Sequence, residues 1–140
     1  MRRCVVDASV AIKWLVPEVH SEAASRLLAP ERQILAPDLI GPECGNTLWK
    51  KWRRQELSAE EVEELLQDLR RLPLRIVPCE SLYASAWAIA RRFERTFYDS
   101  LYVALSAGGS CPLVTADLRL YNALRGARGD FELVWVEDVA

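Results

Sequence analysis

The chain has 140 residues, of which 51% are hydrophobic and 27% are charged. This balance predicts a single globular domain over residues 1–140 and excludes a disordered or fibrous chain. The net charge of −2 lacks the basic excess of a dedicated nucleic-acid-binding protein, so any contact with RNA must come from local patches. Lysines and arginines do cluster at residues 50–54, 70–71 and 91–95, although such clusters are more often solvated helix faces.

The four cysteines lie far apart in the sequence and form no C-x-x-C pair, which argues against a zinc site. We interpret them as buried free thiols. No apolar run approaches the roughly 18 residues of a membrane span. The N-terminal segment also lacks the apolar stretch of a signal peptide. We therefore expect a cytoplasmic protein without membrane contact.

Short apolar strands alternate with helices in the first half of the chain. A strand is predicted at 3–6, a helix at 8–15, a helix at 21–28, a strand at 33–36, and then a helix that runs to about residue 55. Pro42 lies near the start of that last helix. We expect it to kink this helix or to delay its start.

The second half continues the same alternation. Ser58 and Glu61 form a capping box that predicts a helix as far as residue 72, followed by a strand at 74–77. Helices are expected at 81–95 and 98–107, the second stopped by Gly108 and Gly109. A strand at 112–115, a helix at 117–124 and a strand at 131–136 follow. The pattern predicts an α/β fold with a parallel sheet of four to five short strands flanked by helices on both faces.

Four acidic residues fall where such a fold places its ligand site, beyond the carboxyl ends of the strands. Asp7 and Asp117 directly follow predicted strands, and Glu43 and Asp99 lie early in predicted helices. Taken singly, each is explained as a helix cap or a first-turn acid. Together they would repel one another, and a hard cation such as Mg²⁺ or Mn²⁺ would remove that repulsion.

A carboxylate-bound metal of this kind hydrolyses phosphodiester bonds with a metal-activated water and needs no nucleophilic side chain. The sequence offers no plausible Ser/His or Cys/His couple. Its lone histidine, His20, lies in a polar segment and is expected to be an exposed loop or helix-start residue. The residues alone thus favour a metal-dependent phosphodiesterase.

Four blocks of the sequence resemble PIN-domain proteins, specifically the VapC-type toxins of prokaryotic toxin–antitoxin pairs. They are VVDASVAIKWLVPE from Val5, APDL from Ala36 onward to Glu43 and Asn46, FYDSLYVAL from Phe97, and LVTAD from Leu113. The resemblance spans nearly the whole chain. It implies an α/β PIN fold, Mg²⁺- or Mn²⁺-dependent cleavage of RNA, a homodimer, and neutralisation by a small antitoxin.

The resemblance also assigns roles to individual residues. The catalytic, metal-coordinating or water-activating residues would be Asp7, Glu43, Asp99 and Asp117, with Asp7 and Asp99 the first candidates for direct contact with the metal. Residues that orient these carboxylates would be Asn46, Thr115 and, as a weaker candidate, Ser9.

Other phosphoryl-transfer folds fit the sequence less well. A haloacid-dehalogenase-like phosphatase would need a second acid at the position of Ser9, and a response-regulator receiver would need a lysine after Lys51. Two alternatives stay open. One is a catalytically inactive PIN scaffold that acts as a binding partner, and the other is a PIN nuclease, for RNA or DNA, outside toxin–antitoxin systems.

Overall fold

A computed structural model describes all 140 residues and contains one sheet of five parallel strands in the order β3-β2-β1-β4-β5. The strands are β1 (Arg3–Val6), β2 (Gln33–Pro37), β3 (Leu74–Val77), β4 (Leu113–Thr115) and β5 (Leu133–Trp135). The predicted α/β class and parallel sheet are therefore confirmed. Because β1 lies beside β4, with Val6 paired to Val114, the residues that follow these two strands come together at one edge.

Seven helices pack around this sheet. They are α1 (Ala8–Leu15), α2 (Ser21–Ser25), α3 (Ile40–Arg53), α4 (Ala59–Arg70), α5 (Tyr83–Phe93), α6 (Phe97–Gly109) and α7 (Leu118–Leu124). The apolar strands form the centre of the core, where Val5, Val6 and Val114 are fully buried with Val10 of α1 and Val103 of α6. None of the helices combines the length and the apolar character that crossing a membrane requires.

Several helix bounds differ from the prediction. The helix expected at 21–28 ends at Ser25 and continues as a 3-10 turn over Arg26–Leu28, and α5 begins only after a 3-10 turn over Cys79–Leu82. The last strand is limited to Leu133–Trp135. In each case the predicted segment has the right type, but its ends are set by local turns that periodicity does not encode.

The prediction that Gly108 and Gly109 stop α6 was wrong. Both are helical, and the chain turns at Ser110, which takes the left-handed conformation with φ of 49°. The hydroxyl of Ser106 donates to the carbonyl of Cys111 at 2.6 Å and fixes this turn. Gly109 instead allows a close approach, since an added Cβ would lie 3.2 Å from a guanidinium nitrogen of Arg3.

Pro42 disturbs α3 less than expected. The helix begins at Ile40, so Pro42 lies in the first turn, where backbone N–H groups have no partner within the helix. The N–H of Glu43 already donates to the carbonyl of Leu39 at 3.1 Å. Glu43 therefore follows the proline without losing its place in a regular helical turn.

Candidate active site

Asp7 is the acid that the fold holds most firmly. It follows β1, caps α1 and is only 6% exposed. The hydroxyl of Ser9 donates to its Oδ1 at 2.5 Å and the hydroxyl of Thr115 donates to its Oδ2 at 2.5 Å. The N–H of Val10 also donates to Oδ1, at 3.3 Å. Three donors therefore fix the orientation of one buried carboxylate.

The same two hydroxyls connect Asp7 to the turn after β4. Thr115 accepts a hydrogen bond from the N–H of Asp117 at 3.0 Å, and Ser9 accepts one from the N–H of Ala116 at 2.9 Å. Asp117 in turn caps α7 through its Oδ1. These contacts agree with the orienting role expected of Ser9 and Thr115, whose part in any reaction stays a prediction.

Glu43 is held by a residue that the sequence analysis missed. It lies in the first turn of α3 and is partly buried. Tyr102, a buried residue of α6, donates its phenol hydrogen to Oε1 of Glu43 at 2.5 Å. The sequence gives only a weak indication that Tyr102 contacts an acid of the site. Tyr102 lies three residues after Asp99, so the two side chains are neighbours on one face of a helix.

Asp99 is paired with a cation. It lies in the first turn of α6, where its N–H donates to the hydroxyl of Thr96 at 3.0 Å. A guanidinium nitrogen of Arg95 lies 3.3 Å from its Oδ2. The Nε of Arg95 is buried and has no hydrogen-bond partner. In the sequence Arg95 belongs to the basic cluster at residues 91–95, and nothing in that pattern predicts its pairing with Asp99.

Burial works against ionisation at two of these carboxyl groups. Desolvation, assisted by the nearby charge of Asp117, raises the pKa of Asp7 to about 6 even though the hydroxyls of Ser9 and Thr115 oppose the rise. Desolvation likewise raises the pKa of Glu43. The Tyr102 hydrogen bond opposes that shift and the charge of Asp99 adds to it. The site therefore contains negative charge that the chain only partly stabilises.

Asp7 and Asp117 follow the neighbouring strands β1 and β4, and the charge of Asp117 acts on Asp7. Glu43 and Asp99 lie in the first turns of α3 and α6, and the charge of Asp99 acts on Glu43. No three acidic, histidine or cysteine side chains stand close enough to form a ready-made metal-binding group. The available donors are nevertheless carboxylate oxygens around a buried, incompletely neutralised charge, which suits a hard divalent cation. Asn46 is exposed and makes no hydrogen bond to these acids, so its proposed role stays a prediction.

The model of the PIN domain family matches residues 4–125, a segment that contains all four acids and, except for Arg3, the first four strands. The chain belongs to the PIN-domain family. The predicted family is thereby confirmed, and phosphatase and receiver folds are excluded. His20 lies at the start of α2, as expected, and its Nδ1 lies 2.6 Å from a carboxylate oxygen of Glu137.

This PIN domain belongs to the VapC group, because it is similar over most of its length to proteins of that group. It is 38% identical over 116 residues to VapC ribonuclease Mb0985 of Mycobacterium bovis, which covers 83% of this chain and 87% of that protein. It is 33% identical over 120 residues to Ribonuclease VapC3 of Pyrobaculum aerophilum, covering 84% of this chain and 92% of that protein.

Solved structures share its fold at lower identity. The structure of PAE2754 from Pyrobaculum aerophilum superposes with a TM-score of 0.67 at 21% identity, covering 96% of this chain and 84% of that one. A chain of a toxin–antitoxin complex from Klebsiella pneumoniae gives a TM-score of 0.63 at 12% identity, covering 92% and 98%. At these identities the likeness establishes the fold alone.

Proposed function

We propose that this PIN domain is the ribonuclease toxin of a toxin–antitoxin pair and hydrolyses RNA phosphodiester bonds with a water activated by Mg²⁺ or Mn²⁺. The observation that carries the proposal is the buried carboxylate of Asp7, which two hydroxyl groups orient and whose pKa is raised by burial and by the nearby charge of Asp117. The ribonuclease names of relatives at 33% and 38% identity support RNA as the substrate.

Each acid has a role in this proposal. Asp7 and Asp99 would hold the ion, and Glu43 and Asp117 would complete its surroundings or position the attacking water. The bound ion would supply a more acidic water and offset charge on the phosphate. The hydroxyl of Thr115 keeps the carboxylate of Asp7 in place. Since the site contains buried negative charge, ion binding would also relieve repulsion within it.

The proposal includes two protein partners. We expect a small antitoxin to inhibit the domain, a view supported by the toxin–antitoxin complex among its structural neighbours. We also expect a homodimer. Trp49 and Trp52 of α3 leave 49% and 44% of their surface exposed, which makes this helix a candidate for either contact. Because the proposed substrate is cellular RNA, we place the action of the protein in the cytoplasm.

Cleavage of a mixed pool of structured and single-stranded RNAs tests the proposal. We expect wild-type protein to cleave with Mg²⁺ or Mn²⁺ but not with EDTA, and the Asp99→Asn variant not to cleave. The substitution removes a metal-binding charge at nearly constant shape. A parallel DNA pool separates a ribonuclease from a DNA nuclease.

Thermal unfolding provides a second measurement that does not depend on finding the right RNA. An ion that binds only the folded chain raises its melting temperature by mass action. We expect that rise in the wild type and a smaller one in Asp99→Asn. If neither cleavage nor a rise in melting temperature is seen up to millimolar metal, the proposal fails and the inactive scaffold is favoured.

A further inference from the structure

A cleft of about 390 Å³ opens beside Glu43, between α1, α3 and α6. Its volume falls within the roughly 300–1,000 Å³ of small-molecule binding sites. Its walls include Asn46 and Lys50 of α3 and Tyr98 of α6. The proposed function uses Glu43 but gives no role to the space beside it.

Tyr98 offers this cleft an aromatic surface. It directly precedes Asp99 in the first turn of α6, yet 61% of its surface is exposed. An accessible aromatic ring beside a phosphodiesterase site is suited to stacking with a nucleobase, because every base has a flat π-face. The ring therefore fits a single unpaired base.

The α3 residues that line the cleft carry polar groups that match the rest of a nucleotide. Glu43, Asn46 and Lys50 follow one another at three- and four-residue steps, so they share one face of α3. The amide of Asn46 can both donate and accept, as a base edge requires. Lys50 is exposed and forms no ion pair, whereas the adjacent Lys51 lies 3.2 Å from a carboxylate oxygen of Glu18. The charge of Lys50 is thus available to a phosphate.

We propose that this cleft is a nucleotide subsite, in which one unpaired nucleotide of single-stranded RNA stacks its base on Tyr98 next to the scissile phosphate. Asn46 contacts the edge of the base and Lys50 contacts the backbone. The inference rests on the proposed RNA substrate and identifies the residues that bind one nucleotide of it. A base within a duplex is not free to enter the cleft, so the subsite selects single strands, loops or bulges.

Binding of a fluorescently labelled, ten-nucleotide single-stranded RNA, measured by anisotropy in EDTA, tests this subsite without cleavage. Tyr98→Ala should weaken binding about ten- to a hundredfold, the size of one lost base–aromatic stack, and Tyr98→Phe should bind like wild type. Trp87→Ala is the matched control, since Trp87 lies outside the cleft on α5 and is 60% exposed. Circular dichroism and melting temperature check that the variants fold.

A series of RNAs with one abasic position each locates the nucleotide. At the position that occupies the cleft, loss of the base should weaken binding by wild type and have little further effect in Tyr98→Ala. The same sequence as a duplex should show no dependence on Tyr98. The subsite is refuted if wild type does not bind the single strand, if Tyr98→Ala binds within twofold of wild type, or if no position shows coupling.

The two proposals fail in different ways. Tyr98-dependent binding with neither metal-dependent cleavage nor a metal-dependent rise in melting temperature would refute the ribonuclease and keep the cleft as a nucleotide-binding site. Metal-dependent cleavage with the same KM and kcat in wild type and Tyr98→Ala would refute the subsite and keep the ribonuclease. If Trp87→Ala loses as much affinity as Tyr98→Ala, the effect is not specific to the cleft and the subsite is again refuted.

Discussion

The two halves of the acidic site are built in different ways. The strand half, Asp7 and Asp117, follows two adjacent parallel strands, and the hydroxyl of Thr115 bridges the two residues. The helix half, Glu43 and Asp99, lies in the first turns of two helices. Backbone register alone brings the strand half together, whereas the helix half depends on how α3 and α6 pack.

The partners of the two halves differ in the same way. Asp7 is buried and is held by the hydroxyl groups of Ser9, at the start of α1, and of Thr115, at the end of the adjacent strand β4. Glu43 is held by the phenol of Tyr102, and Asp99 by the guanidinium of Arg95. The strand half is therefore preorganised by the fold, and the helix half is held by individual long side chains.

The largest effect is expected from Asp7→Asn. Cleavage with saturating Mn²⁺ should fall by on the order of 10³-fold or more, as when other enzymes lose a catalytic carboxylate. The fold should persist, because asparagine has nearly the same shape. Asp38→Asn is the control, since Asp38 also follows a strand but is exposed and accepts from the N–H of Cys79 at 3.0 Å. Cleavage by Asp7→Asn within tenfold of wild type would contradict the central role of the strand half.

The same variant should change how stability depends on pH. Asp7 has a pKa of about 6 in the folded chain, above its ordinary value of 3.8. Between these two pH values the Asp7 carboxyl group is protonated in the folded chain and ionised in the unfolded chain. This protonation stabilises the folded chain, fully below pH 3.8, and the stabilisation is lost as the pH rises through 6. The loss amounts to about 3 kcal/mol in the free energy of unfolding.

The stability of Asp7→Asn relative to wild type should consequently rise as the pH increases from 4 to above 6, because only the wild type bears the cost of ionising Asp7. Urea unfolding in EDTA at several pH values measures the difference in stability between the two proteins. The pKa of Glu43 is also raised, but Glu43 is present in both proteins and its contribution cancels in the difference. If the difference in stability does not change with pH, burial does not raise the pKa of Asp7 in the folded chain.

Removing one hydroxyl group from each half of the site compares how much each half contributes to metal binding. Thr115→Val loses the bond to Asp7 and the acceptor for the N–H of Asp117 at a fully buried position. Tyr102→Phe loses one bond to Glu43, which is only partly buried, so water can replace the phenol. We expect Mn²⁺ affinity to fall up to about a hundredfold in Thr115→Val and about tenfold in Tyr102→Phe, the range for residues that orient metal ligands.

Mn²⁺ binding measured by electron paramagnetic resonance checks this order, with melting temperatures to monitor folding. Tyr121→Phe is a suitable control, because Tyr121 packs on Trp135 outside the site. If Tyr102→Phe is the more damaging of the two variants, the helix half contributes more to metal binding and the comparison is reversed.

This difference also explains what the sequence could predict. The alternation of strands and helices identified the parallel sheet, and strand ends identified Asp7 and Asp117, because neighbouring parallel strands bring their carboxyl ends to one edge. The contact between Tyr102 and Glu43 spans 59 positions and two helices. It depends on side-chain packing, which no periodic pattern encodes. The sequence likewise could not show how closely the acids approach one another.

The smallest effect is expected from Arg95→Met, which removes the cation beside Asp99 at similar side-chain volume. A bound divalent ion and Arg95 would share this carboxylate, so removing Arg95 should raise Mn²⁺ affinity. The pair is partly exposed and such pairs contribute little, so the gain should be about two- to fivefold. Arg92→Met controls for the loss of one positive charge, because Arg92 contacts the ring of Phe93 and no acid. A fall in affinity specific to Arg95→Met would mean that Arg95 orients Asp99 for the ion, and the helix half would then be as preorganised as the strand half.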